Sequence, residues 1–309
     1  MEPNGAFHHG ERAMQATMGA ADRLAQVGAV AIRDHMPRQH RDFFASLPFL
    51  VVGSIDQSGQ PTASILAGPP GFVQTPDERH LRVAALPLAY DPLDLNLQSG
   101  APLGILGIQP HTRRRNRVNG RVTLLDEHGF TLAVEQSFGN CPKYIHAREP
   151  SYVQQASEAK LICDEGLPDS ARVMIAQADT CFIASAHPDA LVADDRSHGV
   201  DVSHRGGPPG FIRIMSDNTL MLPDYPGNRF FNTFGNLALN PFAGIMILDY
   251  DTGDVWQFDV SCRIVADVDQ ITLDLQAERV LMCRVTRTRR ALAAMPLRWG
   301  KVMESTNLK

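Results

Sequence analysis

The sequence has no apolar run of the roughly 18–20 residues that a membrane-spanning helix needs, so no membrane partner is expected. Its five cysteines, Cys141, Cys163, Cys181, Cys262 and Cys283, include no Cys-x-x-Cys pair. Neither a disulfide framework nor a structural zinc site is indicated, and no metal ligand set is expected. Reduced thiols in a cytoplasmic setting are the default. Met1–Gly10 is polar and lacks the apolar stretch of a secretory signal. The H-E-x-x-H, G-x-G-x-x-G, P-loop and G-x-S-x-G patterns are all missing. Lysine is scarce: four of the 29 basic residues, the rest being arginine, the side chain suited to gripping anions bidentately. The net charge of −5 excludes a general nucleic-acid binder. Residues 1–150 carry 14 basic and 14 acidic side chains and residues 151–309 carry 15 and 20, so the acidity lies in the second half.

What is present is a 309-residue chain, 44% hydrophobic, long enough for one large or two ordinary domains. The chain repeats itself. Gly68-Pro69-Pro70-Gly71-Phe72-Val73 recurs as Gly207-Pro208-Pro209-Gly210-Phe211-Ile212, 139 residues on. Gly104–Ile108 matches Gly244–Leu248 at 140, and Asn119–Val122 matches Ser261–Ile264 at 142. Collinear matches with slowly growing offset point to a duplication.

Each half reads as β-rich. Phe49–Ile55, Thr62–Leu66, Leu81–Ala85, Pro102–Ile108, Arg117–Leu124 and Phe130–Val134 are strand-like runs separated by turn residues. Thr180–Ser185, Gly199–Ser203, Phe211–Met215, Thr219–Leu222, Ala243–Leu248 and Val255–Val265 repeat them. Asp91–Gln98 and Phe231–Leu239 read as short helices. Apolar spacing of three and four predicts one amphipathic helix over Ala13–His35, and Tyr144–Cys163 reads as a linking helix. Asp269–Val285 mixes helix and strand signals. The organisation predicted is a helical segment 1–40, a first β unit 41–146, a helical linker 147–178, a second β unit 179–295 and a tail 296–309.

The strongest local feature is Pro223-Asp224-Tyr225-Pro226-Gly227-Asn228-Arg229-Phe230-Phe231-Asn232-Thr233, which leaves a strand and opens a helix. Free backbone N–H groups, the positive end of a helix dipole and a guanidinium suit a phosphate. The same residues also read as an ordinary Pro/Gly turn with a capping Asn. Asp201-Val202-Ser203-His204-Arg205 ends a strand that a barrel would bring beside this turn, making a two-arginine anion site; alternatively it is a solvated hairpin tip. The run Arg113-Arg114-Arg115-Asn116-Arg117 reads chiefly as a solvated turn at the start of a strand. Ser137–Tyr144 is either a Gly-Asn turn or a segment whose Lys143 and Tyr144 reach a ligand. His8-His9 reads as tail, and His111, His128, His146, His187 and His198 have no metal-ligand spacing.

Asp201–Phe211, Pro223–Thr233, Asn240-Pro241 and Ala243–Leu248 resemble the pyridoxamine 5′-phosphate oxidase-like family of FMN-binding split barrels, and Thr112–Gly120 with Gln136–Ile145 resemble its two-unit branch. The resemblance covers about residues 40–295. It implies a mainly β fold with flanking helices, built as two tandem Greek-key split barrels, with FMN in a cleft between barrels and usually two subunits. By position, Arg205 and Arg229 would hold the phosphate with Ser203, Asn228 and Thr233, while Leu222, Pro223 and Asp224 would line the ring or ribityl chain. Gln257 resembles a glutamine that approaches the flavin, in a loosely matched region. The first unit has Gly68 and Leu88-Ala89 where the second has arginines, so one FMN surface per chain, mostly from the second unit, is implied. The oxidase's substrate-binding Arg/His signature has no convincing match. The implied function is therefore flavin redox chemistry on an unidentified small substrate or electron partner, in a homodimer, with no acid or base assigned. A non-catalytic flavin carrier and a scaffold without FMN are the alternatives.

Overall fold

The computed structural model describes residues 5–153, 160–215, 218–266 and 277–303. Fraying is expected over residues 1–9 and 303–309; 1–4 and 304–309 lie outside the described residues, as do 269–276 of the ambiguous segment, whereas Phe7 and His8 are buried.

Three helices come first: α1 (His9–Thr17), α2 (Ala21–Ala31) and α3 (Arg38–Ala45). The single helix expected over Ala13–His35 is broken at Gly19, whose φ of +61° an L side chain rarely adopts. The first unit then runs β1 (Phe49–Ile55), β2 (Pro61–Ala67), β3 (Val73–Gln74), β4 (His80–Val83), α4 (Pro92–Asn96), β5 (Pro102–Gln109), β6 (Arg114–Asp126) and β7 (Gly129–Gly139). The stretch expected as a linking helix instead carries β8 (Pro150–Tyr152) and β9 (Lys160–Glu165); only α5 (Asp169–Gln177) is helical there. Pro150 cannot donate a helical hydrogen bond and biases its predecessor to extended backbone. The second unit runs β10 (Thr180–Ala186), β11 (Val200–Gly206), β12 (Arg213–Ile214), β13 (Thr219–Asp224), α6 (Asn232–Leu239), β14 (Phe242–Leu248), β15 (Val255–Val265) and β16 (Arg279–Leu292), followed by β17 (Leu297–Trp299).

The two large sheets have the same strand order: β2-β1-β5-β6-β7-β4-β3 and β11-β10-β14-β15-β16-β13-β12. The protein is mainly β, built of two tandem units, and neither sheet has a ladder that closes it among the described residues. β9 adds to β16, and β17 pairs with β8.

Strands that read as unbroken apolar runs are buried on both faces. In β1, Leu50 and Val52 enter the core of the first unit while Phe49 and Val51 enter a second cluster. In β10, Cys181 and Ile183 face their own unit while Phe182 and Ala184 face that same second cluster. Strand period two thus divides each run between a private core and an interface. Leu106 and Ile108 meet Val202, Met246 and Leu248 there, so the two units pack against each other within one chain. Two glycines in matching positions permit the approach. A Cβ on Gly104 would strike the backbone of Val200, and one on Gly244 the backbone of Pro61 and Thr62.

Register fixes which residues are equivalent. Ile105 pairs with Val52 and Val118, as Ile245 pairs with Ile183 and Phe258. Asn119 lies opposite Gly104 and Asp259 opposite Gly244. The offset therefore stays at 140 here and Asn119 corresponds to Asp259, two residues from the match expected with Ser261. A slip of two leaves every side chain on the same face, so the sequence pattern alone could not detect it.

Candidate functional site

A cleft at the junction of the units is lined by both. The second unit supplies Ser203 and Arg205 from β11, Asp224 from β13, Asn228 and Arg229 from the following turn, and Asn232 and Thr233 from the first turn of α6. The first supplies Arg115 and Arg117 from β6 and Asn140, Lys143 and Tyr144 from the segment after β7. Eight of the expected residues thus meet: Lys143, Tyr144, Ser203, Arg205, Asp224, Asn228, Arg229 and Thr233. Leu222, Pro223 and Gln257 do not line the cleft. Leu222 packs into the core of the second unit, and Pro223 lies opposite Val280 on β13. Gln257 donates to the Ala63 carbonyl at 2.9 Å and to Asp91 at 3.1 Å, on the other side of the junction.

Arg117 is the residue that local reading undervalued. Its side chain is 3% exposed. One guanidinium nitrogen donates to Asp201 and to Asn232 Oδ1, each at 2.9 Å, and the other donates to Ser203 at 2.5 Å. Asp201 also accepts from Asn119 and Asn236, at 2.8 and 3.0 Å. Arg115 donates to the Cys141 carbonyl at 2.7 Å and to His204 Nδ1 at 2.9 Å. Burial brings the Arg115 pKa down to about 10, and burial followed by Arg115 itself holds His204 well below its usual value. The run 113–117 is therefore not a wholly solvated turn. Period two along β6 puts Arg115 and Arg117 on the inward face, while Arg114 stands on the other over the Phe43 ring.

Arg205 and Arg229 are paired but partly exposed. Arg205 meets Asp224 at 2.7 Å and Arg229 meets Glu278 at 2.8 Å. Arg279 reaches both carboxylates, at 3.3 and 3.4 Å. Burial raises the Asp224 pKa despite the two arginines beside it. Among the described residues Lys143 makes no ion pair. In all, five cationic and two anionic side chains line the cleft.

Three further observations belong to the same place. The N-cap of α6, Phe231, makes no side-chain cap, so the orphan N–H groups of the first turn face the cleft without one. Asn140 Nδ2 and Arg117 Nε are buried donors with no hydrogen-bond partner. Tyr144, Arg229 and Phe231 all line the cleft and hold positive φ values of 65°, 61° and 62°, a conformation that non-glycine residues adopt at a cost. Tyr144 stacks on Tyr225 at 5.2 Å and donates to the Pro226 carbonyl at 3.1 Å. The cavity at the centre is about 100 Å³, the share of about three waters at ≈ 30 Å³ each. Its size and charge fit a phosphate group.

No family model matches the chain, and none of the curated proteins does. Solved structures to which it is similar include an FMN-binding protein from Syntrophomonas wolfei (13% identity, TM-score 0.29, covering 38% of this chain and 80% of that one). An FAD-binding protein from Mesorhizobium loti matches at 13% identity and TM-score 0.29, covering 42% and 97%. HupZ from Group A Streptococcus matches at 15% identity and TM-score 0.30, covering 40% and 91%. Pyridoxamine 5′-phosphate oxidase-like proteins are also among the structures similar to this chain. No helix among the described residues is long and apolar enough to cross a membrane.

Proposed function

We propose that the cleft is the phosphate end of an FMN site and that the chain is a flavin-dependent oxidoreductase acting on a small substrate or an electron partner. The observation that carries this is the convergence of Arg115, Arg117, Lys143, Arg205 and Arg229 on a phosphate-sized cavity at the open first turn of α6. Two unpartnered donors, Asn140 Nδ2 and Arg117 Nε, are already aimed at no protein acceptor. Arg205 and Arg229 would exchange their carboxylate partners for phosphate oxygens, and Arg117, held by Asp201, would keep Ser203 in place. The ribityl chain and ring would extend beyond the small cavity, on the side of Tyr144 and Tyr225.

Bound flavin would supply hydride or electron transfer; the chain would supply position and charge. Both halves of the cleft come from one chain, so a homodimer would bring two sites together rather than complete one. The purified protein is expected to be yellow, or to take up FMN with quenching of its fluorescence, and to release FMN on denaturation. Failure to take up FMN would overturn the reading. Uptake without reduction by NADH or NADPH in stopped flow would leave a carrier in place of an oxidoreductase.

A further inference from the structure

Four imidazoles gather where the start of α1 packs beside α6. His8 caps α1. His187 follows β10 and His198 precedes β11, so the loop between two paired strands folds back on the amino-terminal segment. The ring centroids of His8 and His187 are 5.0 Å apart, those of His9 and His187 5.9 Å, and those of His187 and His198 3.7 Å. One ligand atom each from His8, His9 and His187 lie within 4.8 Å of one another, as do those of His187, Asp189 and His198. His8 and His187 are 4% and 1% exposed, and the Nε2 of each is buried without a hydrogen bond. Asn236 comes near enough to His8 to favour its charged form slightly, yet Asn236 Oδ1 is itself without a partner.

Two buried nitrogens without a hydrogen bond in one cluster call for an explanation, that of His187 above all, since His8 Nε2 has a Glu11 carboxylate oxygen at 3.5 Å. Protonation does not provide one. Burial, and then the neighbouring histidines, bring His8 down to about 3, and burial followed by His198 brings His187 down to about 4. His8 and His187 are therefore neutral near pH 7, which is the form that binds metal.

We infer that His8, His9 and His187 form a site for a divalent transition metal of the zinc type, with the fourth position left to water; Asp189 lies on the Nδ1 side of the His187 ring and His198 stacks parallel to it, so neither faces the His187 Nε2. Imidazole nitrogen is a preferred donor for zinc, and three to four such ligands meet its tetrahedral demand. Zn–N bonds of about 2.0–2.1 Å would draw the nitrogens somewhat closer than they stand. His8 Nδ1 now accepts from the Gly10 amide and His187 Nδ1 from the Asp189 amide, both at 3.1 Å. Ligation through Nε2 moves each ring proton to Nδ1, so zinc binding displaces these two amide contacts. The metal would pin the amino-terminal segment to the β10–β11 loop. Glu11, which accepts from the His8 amide at 2.9 Å and from Asn232, links the same segment to the anion cleft. Spacing concealed this site: the pairing of β10 with β11 brings positions 187 and 198 together, and positions 8 and 9 join them only where the amino-terminal segment folds onto that loop.

The test uses the full chain without an affinity tag, stripped with chelator and titrated with Zn²⁺. One Zn²⁺ per chain is expected, with a rise in Tm and shifts of the Gly10 and Asp189 amide resonances. His187→Ala should abolish this. The exposed His9→Ala, which leaves the apo fold intact, should weaken binding by more than the roughly 10- to 100-fold that loss of an outer-shell partner costs. His128→Ala, remote in a hairpin turn, should bind as the parent does. Binding by the parent no tighter than by His9→Ala, or uptake that leaves the two amides unmoved, would overturn the assignment.

Discussion

Arg117 and Gln257 occupy equivalent positions in the two units: Arg117 lies opposite Leu106, and Gln257 lies opposite Met246, in strands of the same order. Each reaches across the junction to an equivalent serine, Arg117 to Ser203 at 2.5 Å and Gln257 to Ser64 at 3.3 Å. The junction thus has two pseudo-symmetric clefts built on one plan. In the second, Leu66 stands where Arg205 stands, opposite Leu50 as Arg205 is opposite Cys181. Gln257 is tied there to Asp91, a carboxyl whose pKa burial raises. One cleft is lined by five cationic side chains; in the other an amide and a leucine stand at the positions matching Arg117 and Arg205.

The basic cleft predicts a split between binding and stability. Arg229→Ala removes a side chain that is 37% exposed, so loss of its ion pair to Glu278 should change stability by no more than about 1 kcal/mol. FMN affinity should nonetheless fall by about 1.5–3 kcal/mol, roughly 10- to 150-fold, for one lost charge-assisted contact. Urea unfolding and a fluorescence titration measure the two. Unchanged affinity would remove Arg229 from the phosphate site.

Arg117→Gln should behave oppositely, although it copies the residue found in the other cleft. Asp201 would keep its bonds to Asn119 and Asn236 but lose its buried cation. Removing one partner of a buried pair typically costs about 3–5 kcal/mol. The urea midpoint should fall steeply, and Arg117→Lys should recover part of it by restoring the charge without the bidentate fork. A variant as stable as the parent would show that the Arg117–Asp201 pair does not hold the junction.

Most strands of both units were legible because each is a short apolar or alternating run ended by turn residues. The helix expected over Tyr144–Cys163 was not, since its residues pair with β16 and β17 far along the chain, a long-range choice that local propensity does not encode. The site was legible on one side only. Arg205 and Arg229 stood in a marked turn and strand end. Arg115 and Arg117 belonged to a run of charge that read as solvated until the second unit covered it. Gln257 showed the reverse error, since resemblance put it near the ligand and strand register puts it in the sister cleft.

The packing of the two units makes a further prediction. Gly104→Val places side-chain atoms against the backbone of Val200 and Asp201, where no flexible side chain can give way. Overpacking costs typically 1–3 kcal/mol, and more where backbone must move. Gly227→Ala, with nothing nearer its added Cβ than the Tyr225 carbonyl at 3.9 Å, is the control and should be close to neutral. Chemical denaturation should separate the two, and Gly104→Val should also lose FMN binding, because β5 is paired with β6, and β6 and β11 carry the two sides of the cleft.

The buried histidines set a dependence on acid. The folded-state pKa of His8 lies at about 3 and that of His187 at about 4, against the ordinary histidine value of 6.5, and His204 is also held well below it. The causes are burial first, then neighbouring positive charge. A base with a depressed folded pKa binds fewer protons in the native state than in the unfolded one, so stability is complete above about pH 6.5 and declines as pH falls towards the folded values. Chelator-stripped protein should therefore lose stability between pH 6.5 and 5, before most carboxylates titrate, with an uptake of up to about three protons on unfolding. Replacing His187 by Leu keeps an apolar side chain in that place and removes one of the three groups. The slope of the unfolding free energy against pH should then become shallower by up to about one proton. An unchanged slope in His187→Leu would mean that His187 titrates alike in the folded and unfolded chain, and that the imidazole cluster is not closed to protons.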